Sequence, residues 1–396
     1  MRLRAKLCAA VALAMVFAAP ARADDDASAM IAPLNATLGD GWTGNLGVNL
    51  SGAVYAAHQD GGVDRQGVQA FAIFAPSLTK TLSDGWEIGA KGSILAYHDH
   101  LSGDNFGNDV FELGYAYAQT PYGRVEIGEQ TGAAYSLAVS APLVDGPPAI
   151  NDANVVFFKD PATGLAFNGI FNLRTGIFTS ANDTKISYIS PRLSGLQFGI
   201  SYTPYKAKGV LPFADKDHDV PDRVTNFLEG NVNYSAQLGS WNMQASTSAA
   251  VAHDAKPTPE HDDVWDWGAG IETDTTLDDA KISFGVAYRI SNAYTFNVQQ
   301  ASRHGETSNI DFGTVYNLGA WSAGVEYETG MADGVLGMPG LKENGWNPSI
   351  SYAVNSNIQL TAGWQYMHFR ESTGTFYNGN PSIGMNAFYL HTNITI

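Results

Sequence analysis

From about residue 42 to the last residue the chain is a series of paired stretches in which apolar and polar residues alternate. The connections between these stretches run short, long, short, long. A period of two places successive side chains on opposite faces of a strand. Leu46, Val48 and Leu50 alternate with Asn45, Asn49 and Ser51, and Trp86, Ile88, Ala90 and Ile94 with Glu87, Lys91 and Ser93. Phe111, Leu113, Tyr115 and Tyr117 alternate with Glu112, Gly114 and Ala116, which predicts that the four bulky residues share the apolar face. The pattern recurs through Leu196–Tyr202, Ile282–Tyr288 and Trp321–Tyr327, and in the last strand Phe388, Leu390, Ile394 and Ile396 alternate with His391, Asn393 and Thr395.

Sixteen strands follow, beginning near Trp42, Arg65, Trp86, Asp109, Arg124, Thr184, Leu196, Val224, Trp241, Val264, Lys281, Glu306, Trp321, Trp346, Ile358 and Met385. The short joins include Leu82–Trp86, Thr120–Gly123, Pro191–Gly195, Gln237–Trp241 and Asn317–Trp321. Short turns on one side and long loops on the other are the signature of an antiparallel transmembrane β-barrel. Sixteen spanning strands of ~10 residues use ~160 residues, leaving ~210 for strand extensions and loops. Trp86, Trp241 and Trp321 each open a strand after a short turn, so they form one aromatic ring at the periplasmic interface. The apolar face therefore points to lipid, and the Gly-rich, charged face lines a wet lumen. Thr37-Leu38-Gly39-Asp40-Gly41-Trp42 echoes Thr81-Leu82-Ser83-Asp84-Gly85-Trp86, which marks either a short extra strand before Trp42 or only a similar turn.

The N-terminal segment has a different pattern. Arg2, Arg4 and Lys6 precede an apolar run from Leu7 to Ala19 and the small-residue site Ala21-Arg22-Ala23. Residues 1–23 read as a secretory signal peptide, and residues 24–396 as the barrel domain. The single cysteine, Cys8, lies in the leader, so the mature chain has no disulfide framework. The full chain carries 22 Lys and Arg against 39 Asp and Glu. Removal of the leader leaves 18 against 39, a net charge of −21. That charge excludes nucleic acid as a partner and favours cations or cationic solutes. Only 44% of the chain is hydrophobic, and no later run approaches the ~20 residues of a spanning helix. A barrel in outer-membrane lipid meets both constraints, because only alternate residues face lipid.

One connection stands apart. Between Gln130 and Asp183, at residues 131–183, about fifty residues show little alternation, and loops of that length are usually functional. This one contains Val155-Val156-Phe157-Phe158, Phe167, Ile170, Phe171 and Ile177, which must be buried somewhere. A sixteen-stranded barrel is wide enough to take it in. The expectation is that residues 131–183 fold inward and narrow the channel.

At this loop the chain resembles the general porins of Gram-negative outer membranes. Tyr122-Gly123-Arg124-Val125-Glu126-Ile127-Gly128-Glu129-Gln130 is similar to the strand before their constriction loop. Lys185 to Pro191 and Gly195 to Tyr202 are similar to the next hairpin. The resemblance implies a homotrimer of sixteen-stranded barrels, each with a water-filled pore for passive passage of ions and small hydrophilic solutes. There are three departures: Glu129 stands where the family often has Arg, the loop lacks a Pro-Glu-Phe-Gly-Gly stretch, and the chain ends in Ile396 instead of Phe.

Strand parity places Glu87, Glu112, Glu126, Glu229, Asp266, Glu272, Asp311, Glu326 and Glu328 in the lumen with Lys91, Arg124, Lys185, Lys281 and Arg289. The acidic excess predicts a cation preference. The residues expected to line or constrict the pore are Lys91, Glu112, Lys185 and Arg289 on the wall and Asp145, Asp152 and Asp160 on the loop. Loop acids opposite wall bases produce a transverse field across the narrowest section. Asp215-Lys216-Asp217-His218-Asp219 lacks the later residues of a calcium loop, and no catalytic, cofactor or metal site is expected. Two other readings stay open: a channel selective for sugar, phosphate or dicarboxylate, and an outer-membrane barrel hydrolase with His368 as its candidate.

Overall fold

The computed structural model describes residues 34–61, 63–98, 111–151, 157–158, 174–205, 224–255, 261–292, 301–302, 305–333, 340–371 and 381–396. Its strands are β1 (Leu34–Thr37), β2 (Trp42–Gln59), β3 (Val63–Thr81), β4 (Glu87–His98), β5 (Phe111–Thr120), β6 (Gly123–Glu129), β7 (Thr184–Ile189) and β8 (Leu196–Tyr205). They continue as β9 (Val224–Leu238), β10 (Trp241–Asp254), β11 (His261–Asp262), β12 (Val264–Leu277), β13 (Ala280–Ser291), β14 (Ala301–Ser302), β15 (Glu306–Leu318), β16 (Trp321–Asp333), β17 (Leu341–Ala353), β18 (Ile358–Arg370) and β19 (Ser382–Thr395). Among the described residues the one α-helix is α1 (Ala133–Ser136), a single turn. No helix among them is long and apolar enough to cross a membrane.

Sixteen of these strands form a closed antiparallel barrel. Each pairs with its neighbour in sequence order from β2 to β19, passing over β11 and β14, which pair with each other outside the wall. The barrel closes where β19 pairs with β2, from Met385 opposite Gln59 to Thr395 opposite Asn49. Ile396 and Val48 then exchange two backbone bonds of 2.8 and 3.0 Å. Closure removes every free wall edge, the one arrangement in which sheet backbone is satisfied in lipid.

The N-terminal echo is an extra strand. β1 pairs with β2 from Leu34 opposite Leu46 to Thr37 opposite Thr43, on the edge that β19 leaves vacant. Both repeats of the motif build the same turn. Asp40 and Asp84 have φ of 60° and 65°, and Gly41 and Gly85 follow at 77° and 75°. Leu38 N–H donates to the Trp42 carbonyl at 2.8 Å and Leu82 N–H to that of Trp86 at 2.7 Å. Asp and Gly are the residue types that enter the left-handed region at low cost.

The expected inversion of faces holds across most of the wall. All eight tryptophans lie on the outward face, with Trp86, Trp241 and Trp321 exposed beside the short turns. β5 departs from the sequence reading. Gly89 faces Tyr117 across the β4–β5 ladder and Glu126 faces Tyr117 across the β5–β6 ladder, which puts Tyr115 and Tyr117 on the lumen side. A bulge between Ser93 and Ile94 makes Glu112 the extra residue of its strand, and its carboxylate still accepts the Ser93 hydroxyl at 2.9 Å. The outward positions here are Ala116 and Ala118, small enough that alternation alone did not assign them.

The lumen face also departs from uniform polarity. Ala53, Ala57, Phe71, Leu341, Met367, Phe369, Ile383, Met385 and Ala387 form a buried apolar cluster inside the barrel. They lie on β2, β3 and β17–β19, and Ile150, Phe157 and Phe158 of the long loop complete the cluster. Phe157 stacks on Tyr389 with ring centroids 5.1 Å apart and tilts against Tyr55 at 5.0 Å. Ile150, Phe157 and Phe158 of the loop are thus buried inside the barrel.

Candidate functional site: the loop-narrowed lumen

The inner wall carries a seat for the loop. Gly199, Gly270, Gly285, Gly313, Gly324 and Gly345 are lumen-facing positions on β8, β12, β13, β15, β16 and β17. A β-carbon at Gly199 would lie 2.7 Å from Leu137 Cδ1, one at Gly285 2.6 Å from Pro142 Cδ, and one at Gly345 2.8 Å from Ile150 Cδ1. Only the absence of a side chain lets loop backbone lie flat on the wall. The glycines read from sequence as lining a wet lumen therefore lie under protein.

Polar wall residues satisfy the loop's backbone along the same path. Ser201 and Ser246 hydroxyls each accept an amide, from Ala133 and Val139, at 2.7 Å. Asn233 donates to the Leu137 carbonyl at 3.0 Å, and Gln359 to that of Val144 at 3.1 Å. Asn347 and Gln365 both donate to the Pro148 carbonyl, at 3.2 and 3.0 Å. The Glu326 carboxylate accepts the Ile150 and Asn151 amides at 2.9 Å each. The returning limb is held at Asp266 by the Thr179 hydroxyl, 2.9 Å, and at Glu229 by the Ser180 amide, 3.1 Å. Buried backbone groups need such partners, and here the barrel supplies them.

The expected pore residues fall into three groups. Lys185 is 2% exposed, and its ammonium bonds the carbonyls of Gln130 and Ala181, tying the two ends of the loop together. Arg289 is 3% exposed and grips Asp266 through Nε at 2.8 Å and through a second contact from Nη2. Asp145 lies on the loop but turns to the wall, where it meets His391. These three sit between loop and wall instead of facing open lumen, because the loop's backbone and apolar residues cover them. Lys91 is exposed on β4, and Glu112 is half-buried on β5. Asp152 and Asp160 lie outside the described residues, as do the calcium-like segment at 215–219 and the proposed leader.

The short-turn half of β3–β6 forms a second cluster, which adds Tyr117 to the wall charges Glu87, Lys91, Arg124 and Glu126 expected from the sequence. Tyr117 donates its hydroxyl to Glu87 at 2.8 Å and lies 3.0 Å from Thr79 Oγ1. The Arg124 guanidinium stacks over its ring at 3.9 Å, with Lys91 Nζ 5.8 Å from the centroid. Arg124 is also paired with Glu126 at 2.6 Å. Among the described residues, the hydrogen bonds and ion pairs of these groups run among themselves.

Ser51, His391 and Asp145 are connected in the order of a serine hydrolase triad. Ser51 Oγ lies 2.6 Å from His391 Nε2, and His391 Nδ1 lies 2.6 Å from Asp145 Oδ2. Catalysis needs a nucleophile open to substrate and free amide donors beside it. Ser51 is 4% exposed and lies within the ladders to both β19 and β3. The arrangement is an anchor of the loop. His368, the other hydrolase candidate, sits half-buried on the outward face of β18. Among the described residues no group of three or more His, Cys, Asp or Glu is placed to hold a metal ion.

A sixteen-stranded barrel with a loop folded inside is the architecture of outer-membrane channels, and the family comparison agrees. A family model described as Gram-negative porin matches residues 9–374. The chain belongs to the Gram-negative porin family. Solved structures share the fold of this porin at low identity. The anion-selective porin of Comamonas acidovorans is 14% identical with a TM-score of 0.57, covering 90% of this chain and 100% of that one. OmpF of Salmonella typhi, in complex with daunomycin, is 12% identical with a TM-score of 0.56, covering 92% and 100%. OmpT of Vibrio cholerae, an outer-membrane protein described in a trimer form, is 13% identical with a TM-score of 0.54, covering 89% and 99%. No curated protein matches the chain by sequence. The porin is an outer-membrane channel protein.

Proposed function

We propose that this porin is a non-enzymatic, cation-preferring diffusion channel for ions and small hydrophilic solutes. In this reading residues 1–23 are removed on export, and three copies assemble in the membrane. The open passage runs between the loop and the wall of β3–β6, lined by Lys91, Glu112, Glu87 and Tyr117.

One observation carries the cation preference: the lumen bases are largely neutralised. Arg289 is held by Asp266, Arg124 by Glu126, and Lys281 lies 3.5 Å from Asp274. Lys185 is buried against carbonyl oxygens. Lys91 has the Tyr117 ring beside it and is exposed on β4. Asp266 and Glu126 are taken up in the same pairs, but the mature chain still holds 39 acids against 18 bases, and that excess favours cations. The test is reconstitution in planar bilayers under a potassium chloride gradient. The expected reversal potential has the sign of potassium permeability. A reversal potential of chloride sign overturns the preference, and saturable block by one sugar, phosphate or dicarboxylate replaces it with a selective channel.

A further inference from the structure

The Asp145–His391–Ser51 chain joins three segments that are remote in sequence. Ser51 lies on β2 and His391 on β19, the two strands that meet where the barrel closes. Asp145 lies on the loop just after Pro142 and Val144, which rest on the seat at Gly285, Gly313 and Gly324. It also precedes Pro148 and Ile150, which are fixed by Asn347, Gln365 and Glu326. All three latch residues are buried, at 4%, 2% and 6% exposure for Ser51, His391 and Asp145.

We propose that His391 is a positioning residue, the centre of a seam latch that fixes the constriction loop only once β2 and β19 have paired. The chemistry suits the part. The imidazole offers one ring nitrogen to the loop carboxylate and the other to a hydroxyl that both donates and accepts. Ser51 turns His391 in the plane that meets Asp145, and without β2 in place that orientation is lost. The bond therefore forms when the barrel is complete, and it sets the lumen width at a point on the path of solutes. The proposal rests on the reading of the lumen as a conducting channel.

The experiment uses single-channel recording of the full-length refolded porin with four variants: H391L, H391N, D145L and S51A. The amide of H391N reaches the place of Nδ1 and restores the donor to Asp145, whereas H391L supplies none. For H391L and D145L the ratio of closed to open dwell time rises about tenfold, the effect of losing one well-made buried hydrogen bond. H391N restores most of the wild-type ratio, and S51A falls between. The double variant D145L/H391L is no worse than either single change, because both remove the same bond. Heat-induced unfolding in detergent reports whether each barrel is intact. Wild-type dwell times in H391L and D145L overturn the latch, as do additive effects in the double variant. Absence of conductance in the wild-type porin instead overturns the channel reading.

Discussion

At the scale of single residues, charge in this lumen is decided by what each side chain touches. Lys91 and Lys185 have the same parity and chemistry in the sequence, yet one is exposed and the other is 2% accessible. Replacing Lys91 by Glu therefore acts directly on permeating ions. The permeability ratio of potassium to chloride is expected to rise about two- to threefold, measured from reversal potentials, with K91Q between. Glu326 acts differently, because its carboxylate accepts the amides of Ile150 and Asn151 and the side chain of Asn347. Glu326→Leu leaves two buried backbone donors unpaired, a loss of about 1–3 kcal/mol each. The expected outcome is faster proteolytic cleavage within the loop, with the barrel still folded by circular dichroism. Uncut loop in that variant would show the carboxylate to be dispensable.

At the scale of elements, the loop and the wall are matched surfaces. The wall strands carry glycine where loop backbone crosses and a Ser, Asn, Gln or Glu where it needs a partner. Gly285→Val places atoms within the space of Pro142, and overpacking of that kind costs about 1–3 kcal/mol. The loop is expected to shift toward the lumen, so the unitary conductance falls. Gly52→Ala is the control, since a β-carbon there meets nothing within 4 Å. Equal conductance for the two variants would refute the seat. The strands themselves were legible from a period of two, because a membrane wall makes nearly every outward residue apolar. The seat was not legible. A glycine that lines water and one that lies under a loop look identical in sequence. β5 hid another feature: the bulge at Glu112 shifts parity, so Tyr115 and Tyr117 face inward against the expectation.

At the scale of the whole molecule, two kinds of burial coexist in one barrel. Outside, apolar side chains meet lipid; inside, a second apolar cluster around Phe157, Phe369 and Tyr389 excludes water from part of the lumen. On the proposed reading, selectivity in the rest of the lumen is electrostatic. Cation preference is expected to weaken as salt rises from 0.1 to 1 M, because the screening length falls from about 10 to about 3 Å. A preference independent of salt would point to a binding site in place of a mean field. By itself, the sequence determined the strand count, the antiparallel order, the outward face of most strands and the long loop. Each of these follows from local alternation, composition or segment length. The tertiary structure decided where the loop lies, which charges it covers, and that Ser51, His391 and Asp145 meet at the seam. Those contacts join residues hundreds of positions apart, and no local period encodes which remote surfaces a closed barrel will bring together.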